Sequence, residues 1–131
     1  MNLINMSTYA RQALALFVTT ILAGIIVYLT LTPTPLRETT EDLLLDKAYH
    51  AIAFAALVFP AAFLYRSCLI WLIPAALVFG AAIELIQPYV GRSAQLADFV
   101  ADVIGVTLGL LIGHSVRLWF SRLRKSKTKT A

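Results

Sequence analysis

Four long apolar stretches constrain this chain more than any other feature: residues 12–32, 48–65, 68–86 and 96–120. A hydrocarbon core of about 30 Å is crossed by about 20 helical residues at 1.5 Å each. Within lipid every backbone N–H and C=O must find a partner in its own segment, so each stretch is expected to be an α-helix. With 131 residues and 60% of them hydrophobic, a water-soluble domain of this size would leave too much apolar surface exposed. The expected fold is an all-α membrane protein, a four-transmembrane-helix bundle forming one domain over residues 1–131.

The boundaries follow from proline, charge and polarity. No charged residue lies between Arg11 and Arg37, and Pro33 and Pro35 end the first helix because proline lacks the N–H a helix needs. This stretch is longer than the apolar region of a signal peptide and has no clear small-residue cleavage site, so it is read as a retained helix. An acidic loop, Thr34 to Asp46, separates it from the second helix. Arg66 and Ser67 make a short turn, and Gln87 to Gln95 forms the third loop. Residues 121–131 form a basic tail, expected to lack regular structure.

Orientation follows from the basic residues. If both termini are cytoplasmic, the inner side carries Arg11, Arg66, Arg117, Arg122, Arg124, Lys125, Lys127 and Lys129, while the outer side carries only Arg37, Lys47 and Arg92. That asymmetry obeys the positive-inside rule. The tail, with no aromatic platform or folded module beside it, reads as a flank against anionic headgroups, not as a nucleic-acid binder. The lipid bilayer is thus the first partner expected. The single Cys68 excludes an internal disulfide and a thiolate metal site.

Charged side chains within apolar helices cost about 2.5 kcal/mol or more each at the helix centre, so their positions call for a reason. Here they gather at the ends that this topology places outside. Asp46, Lys47 and His50 open the second helix, Glu84 and Gln87 close the third, and Arg92, Asp98 and Asp102 run through the third loop into the fourth. Asp46 and His50, and likewise Asp98 and Asp102, are four residues apart and share a helix face; Glu84 and Gln87 do so three apart. Gly105, Gly109 and Gly113 continue the aspartate stripe at a spacing that lets a neighbouring helix approach closely.

The ordered set Asp46-Lys47-x-x-His50, Glu84-x-x-Gln87, then Gly91-Arg92 with Asp98 and Gly105-x-x-x-Gly109 resembles the VanZ-like family over residues 46–113. The resemblance implies a multi-pass protein of the bacterial cytoplasmic membrane, in a family named for a protein implicated in low-level resistance to teicoplanin. Family members usually carry Asn where this chain has Asp102, which adds a carboxylate to the cluster.

Four carboxylates (Asp46, Glu84, Asp98, Asp102) face two fixed cations (Lys47, Arg92). Partly buried, they must pair with the cations, share protons or bind a metal. Three functions correspond to these outcomes. In the leading one the cluster binds an anionic group of an envelope lipid or cell-wall precursor, Arg92 acting through its planar fork, with a link to glycopeptide tolerance. In the second, His50 and the carboxylates make a small membrane-embedded hydrolase or transferase, metal-dependent or acid–base. In the third the polar groups only tie helices together, through Asp–Lys, Glu–Arg and His–Asp pairs. No catalytic residue, cofactor or metal is assigned from the sequence, since one histidine is thin for zinc. Oligomerisation stays open; a transport path would require it. A reporter inserted directly after Arg92 should read out on the non-cytoplasmic side in a cell-surface accessibility assay, and a cytoplasmic readout would reverse the topology.

Overall fold

The computed structural model describes residues 6–33 and 40–129. Among them are four long helices and no strand: α1 (Thr8–Leu31), α2 (Thr40–Leu64), α3 (Leu69–Ile86) and α4 (Leu96–Lys129). Single 3-10 turns, Arg66–Cys68 and Gln87–Val90, flank α3. Each helix contains a segment long and apolar enough to cross a membrane, and large apolar side chains such as Phe17, Ile52, Trp71 and Leu111 face outward. This is a multi-pass membrane architecture.

Local chemistry explains the ends. Ser7 caps α1, its hydroxyl accepting from the Ala10 N–H at 3.2 Å, which satisfies one of the donors that an N-terminus leaves open. At the other end the Thr32 N–H still reaches the Tyr28 carbonyl at 3.1 Å before Pro33 stops the helix. Pro60 and Pro74 lie inside α2 and α3 without ending them, as transmembrane helices allow when neighbours support them. The hydroxyls of Thr20, Thr30 and Thr107 donate to carbonyls one turn back in their own helices, so they bring no unsatisfied donor into an apolar setting.

Three boundaries differ from the sequence expectation by more than one residue, the first being α1, which begins at Thr8 and not at residue 12 and so includes Arg11. α2 begins at Thr40, so Glu41, Asp42 and Asp46 belong to its opening turns and not to a loop. No Gly or Pro occurs between Thr40 and Asp46 to stop a helix there. α4 runs on through Lys129, giving the expected tail a helical backbone. Neither Gly nor Pro occurs between Val116 and Lys129 to stop it, and basic residues suit a helix C-terminus. The remainder of the acidic loop, residues 34–39, lies outside the described residues.

α2 is the central helix and its most extensive packing is against α4. Phe54, Leu57 and Val58 of α2 form one buried cluster with Ile26 of α1, Ala76 and Ile83 of α3 and Val106 of α4, and Ala61 and Ala62 of α2 are buried as well. Thr19 of α1 adds a buried interhelical hydrogen bond, its hydroxyl donating to the Leu57 carbonyl at 3.2 Å. In lipid, helices gain little from apolar burial as such, so close van der Waals packing and such bonds decide the arrangement.

The glycine stripe sets the α2–α4 contact. A Cβ on Gly105 would stand 2.9 Å from the Ala51 carbonyl carbon; one on Gly109 would stand 2.7 Å from Val58 Cγ2, and one on Gly113 2.6 Å from Ala62 Cβ. Because Gly105, Gly109 and Gly113 meet successively later residues of α2, the two helices run in the same direction. Their N-terminal ends therefore lie together, at the end of the bundle that also holds the C-termini of α1 and α3. Gly109→Val should markedly lower the melting temperature and the folded yield in detergent. Gly24→Val, where an added side chain meets nothing within 4 Å, should leave both close to wild type.

Candidate functional site

All eight polar residues picked from the sequence come together at this end. Asp46, Lys47 and His50 reach it from α2, Glu84 from the last turn of α3, Gln87 and Arg92 from the segment that follows, and Asp98 and Asp102 from the first turns of α4. His50, Glu84, Gln87, Asp98 and Asp102 are buried, with Asp102 wholly enclosed.

Three ion-pair contacts organise the cluster. Lys47 Nζ lies 3.4 Å from Asp98 Oδ1, Arg92 Nη2 donates to Asp46 Oδ1 at 3.3 Å, and His50 Nδ1 lies 2.9 Å from Asp102 Oδ1. The first and third cross from α2 to α4, in the register that the glycine stripe imposes. The Asp–Lys and His–Asp pairs match the expected kinds, but Glu84 does not pair with Arg92. Its Oε2 accepts from the Gln95 N–H at 2.9 Å. The reason is geometric: Gly91 adopts a left-handed φ of +76° and turns the chain, so that the Arg92 N–H bonds back to the Gln87 carbonyl at 3.0 Å. The Arg92 side chain then lies toward α1 and α2, where Nη1 also contacts the Leu29 carbonyl at 3.4 Å. Glycine adopts this conformation at no steric cost.

Several contributors carried no readable signal. Gln95, directly before α4, accepts from Lys47 Nζ at 3.1 Å and supplies the amide that Glu84 binds. α1 lends two backbone carbonyls, Leu29 to Arg92 and Thr30 to Gln87 Nε2 at 3.5 Å. Gly80 of α3 is required because a Cβ there would come within 2.6 Å of Asp102 Oδ2. Only the lone Gly in an apolar helix could have hinted at this last approach.

The polar satisfaction is incomplete. His50 Nε2, Glu84 Oε1, Gln87 Oε1 and Asp102 Oδ2 are buried without a hydrogen-bond partner among the described residues, and Asp98 Oδ1 has its ion-pair contact with Lys47 but no hydrogen bond. Buried polar groups are normally satisfied by protein or by ordered water, so this concentration makes the spot the candidate site. Beside the cluster, between α1 and α2, lies a cavity of about 570 Å³. Ile26, Leu29, Ile52 and Phe54 give it apolar walls, while Asp46, His50 and Arg92 form its polar corner. Comparison of the chain with protein-family models, with characterised proteins and with solved structures returns no match.

The Lys47–Asp98 contact yields a discriminating prediction. Asp98 is 1% exposed and Lys47 28%, so removing the cation strands a buried carboxylate, whereas removing both charges does not. Lys47→Met should therefore lower the melting temperature more than the Lys47→Met, Asp98→Asn double variant. The reverse order would mean that this contact carries no stabilising charge interaction.

Proposed function

We propose that this protein binds an amphiphile bearing an anionic group, an envelope lipid or lipid-linked cell-wall precursor, at the end of the bundle where α2 and α4 begin. The observation that carries this reading is the cavity, which joins apolar walls to a polar corner containing Arg92. Acyl or prenyl carbons would lie against Ile26, Leu29 and Ile52, and the anionic oxygens would meet the guanidinium. Binding sites for small molecules generally combine such apolar linings with a few convergent polar groups.

Arg92 suits the role. Its guanidinium has five N–H donors, and the two contacts it makes are long, at 3.3 and 3.4 Å. Donors remain for a phosphate or carboxylate, which the planar fork can grip with two bonds. Asp46 orients the group from one side and Leu29 from another. The charge asymmetry of the loops supports an outward-facing site, hence a ligand from the outer leaflet. The likeness of residues 46–113 to the VanZ-like family supports placing this activity in a bacterial cytoplasmic membrane and linking it to glycopeptide tolerance.

The test is lipid retention by wild type and Arg92→Ala, both reconstituted in nanodiscs holding phosphatidylglycerol and phosphatidylcholine and then read by native mass spectrometry. A hydrogen bond to a charged group contributes about 1.5–3 kcal/mol, so the preference for the anionic lipid should fall roughly 10- to 100-fold in the variant. Membrane level and helicity should be unchanged. A wild type without preference for the anionic lipid, or an Arg92→Ala protein that keeps it, would overturn the proposal.

A further inference from the structure

The eight-residue cluster carries a charge problem that its own side chains do not solve. Asp46 has Arg92 and Asp98 has Lys47, which uses both fixed cations. Glu84 and Asp102 remain, 8% and 0% exposed, and no Lys or Arg among the described residues forms an ion pair with either. Two buried carboxylates then share one histidine. An uncompensated buried charge is among the most costly features a protein can hold.

Geometry points the same way. One ligating atom each from His50, Glu84 and Asp102 lie within 4.8 Å of one another, and all three residues are buried. Donors held at 2.0–2.2 Å from a common ion stand about 3 to 4.4 Å apart, so a small inward movement of these side chains completes the set. Each residue also has an atom to spare. Glu84 uses Oε2 for the Gln95 amide and leaves Oε1 without a partner, Asp102 uses Oδ1 for His50 and leaves Oδ2, and His50 leaves Nε2.

We infer that His50, Glu84 and Asp102 form a divalent-cation site, held between α2, α3 and α4. A neutral imidazole and two carboxylates around a doubly charged ion sum to zero, which neither a monovalent nor a trivalent ion achieves. One imidazole nitrogen with carboxylate oxygens suits ions of the Mn2+ and Zn2+ class better than Ca2+, which prefers an all-oxygen shell. A second triad, Asp46, His50 and Asp98, also comes within ligating range, but its two carboxylates already have cations. The charge balance selects the inner set.

The inference does not depend on anion binding at Arg92, although it removes an obstacle to it. Without the ion, the cluster's carboxylates outnumber its fixed cations by two, a poor field for an incoming anion. With the ion they balance.

The test uses the full-length protein in detergent, stripped with chelator, then dialysed separately against Mn2+ and Zn2+ and freed of excess. Metal per chain is read by inductively coupled plasma mass spectrometry, and thermal stability is read with and without the ion. Wild type should retain near-stoichiometric Mn2+ or Zn2+ and melt at a higher temperature with it. Glu84→Gln and Asp102→Asn keep side-chain size, and each should lower retention at least about tenfold, a loss of the order that even outer-shell changes cause. Arg92→Ala should keep the metal, so a failure of lipid selectivity and a failure of metal binding remain separate results. Folded wild type that retains neither ion and shows no thermal response, or Glu84→Gln and Asp102→Asn proteins that retain as much as wild type, would overturn the inference. The wild-type arm decides the matter even if both variants fail to fold.

Discussion

The approach of α4 to α2 along Gly105, Gly109 and Gly113 is the constraint on which the remaining geometry rests. With no side chain at these positions, α4 seats against the Ala51 and Ala55 carbonyls and the Ala62 methyl. That contact fixes both the separation of the two helices and their axial register. Register is what matters at the polar end: it sets Lys47 opposite Asp98 and His50 opposite Asp102, one turn apart on both helices. A shift of one turn would exchange the partners and leave one carboxylate without any. Packing in the apolar half of the bundle thus specifies electrostatics in the polar half.

The cost of assembling so many charges is met in layers. In the outermost layer, Asp46 and Lys47 are 34% and 28% exposed, so water shares their solvation and the pairs need contribute little. Asp98, level with Lys47 but 1% exposed, sits in the first turn of α4, where helix N–H groups favour a carboxylate. Asp102 and Glu84 have neither advantage in full. Glu84 receives one backbone N–H from Gln95, and Asp102 depends on His50. The deepest layer is therefore the least compensated, and it is also where the unpartnered buried atoms collect.

Much of this could be read from the chain before any coordinates. Long apolar runs have one stable form in lipid, so the number and kind of helices followed directly. The i, i+4 spacings of Asp46 with His50 and of Asp98 with Asp102 place residues on one face whatever the tertiary structure, and all eight polar residues do converge. What sequence spacing does not encode is which residue of one helix faces which residue of another. Arg92 was expected to meet Glu84 as one option, but a single left-handed glycine turned it toward Asp46. Backbone groups are likewise silent in a sequence, so the Leu29 and Thr30 carbonyls and the Gln95 amide had no marker. Polar composition does not by itself mark the absence of helix: no Gly or Pro interrupts residues 40–46 or 121–129, and α2 and α4 extend through them.

The juxtaposition of the cavity and the buried triad bears on how a ligand would be recognised. A guanidinium by itself attracts any anion, and apolar walls by themselves accept any chain, so neither gives much selectivity. His50 belongs to both places: it lines the cavity and it belongs to the triad with Glu84 and Asp102. A group bound in the cavity that reached past Arg92 would meet the imidazole, and through it the charge state of the buried carboxylates. An ion held there would cancel the charge of the two buried carboxylates and offer a coordination position, so a headgroup oxygen reaching it would be bound in addition to the one that Arg92 holds. Selectivity in this bundle would then depend on the depth to which the ligand's charge extends and not on the length of its apolar chain.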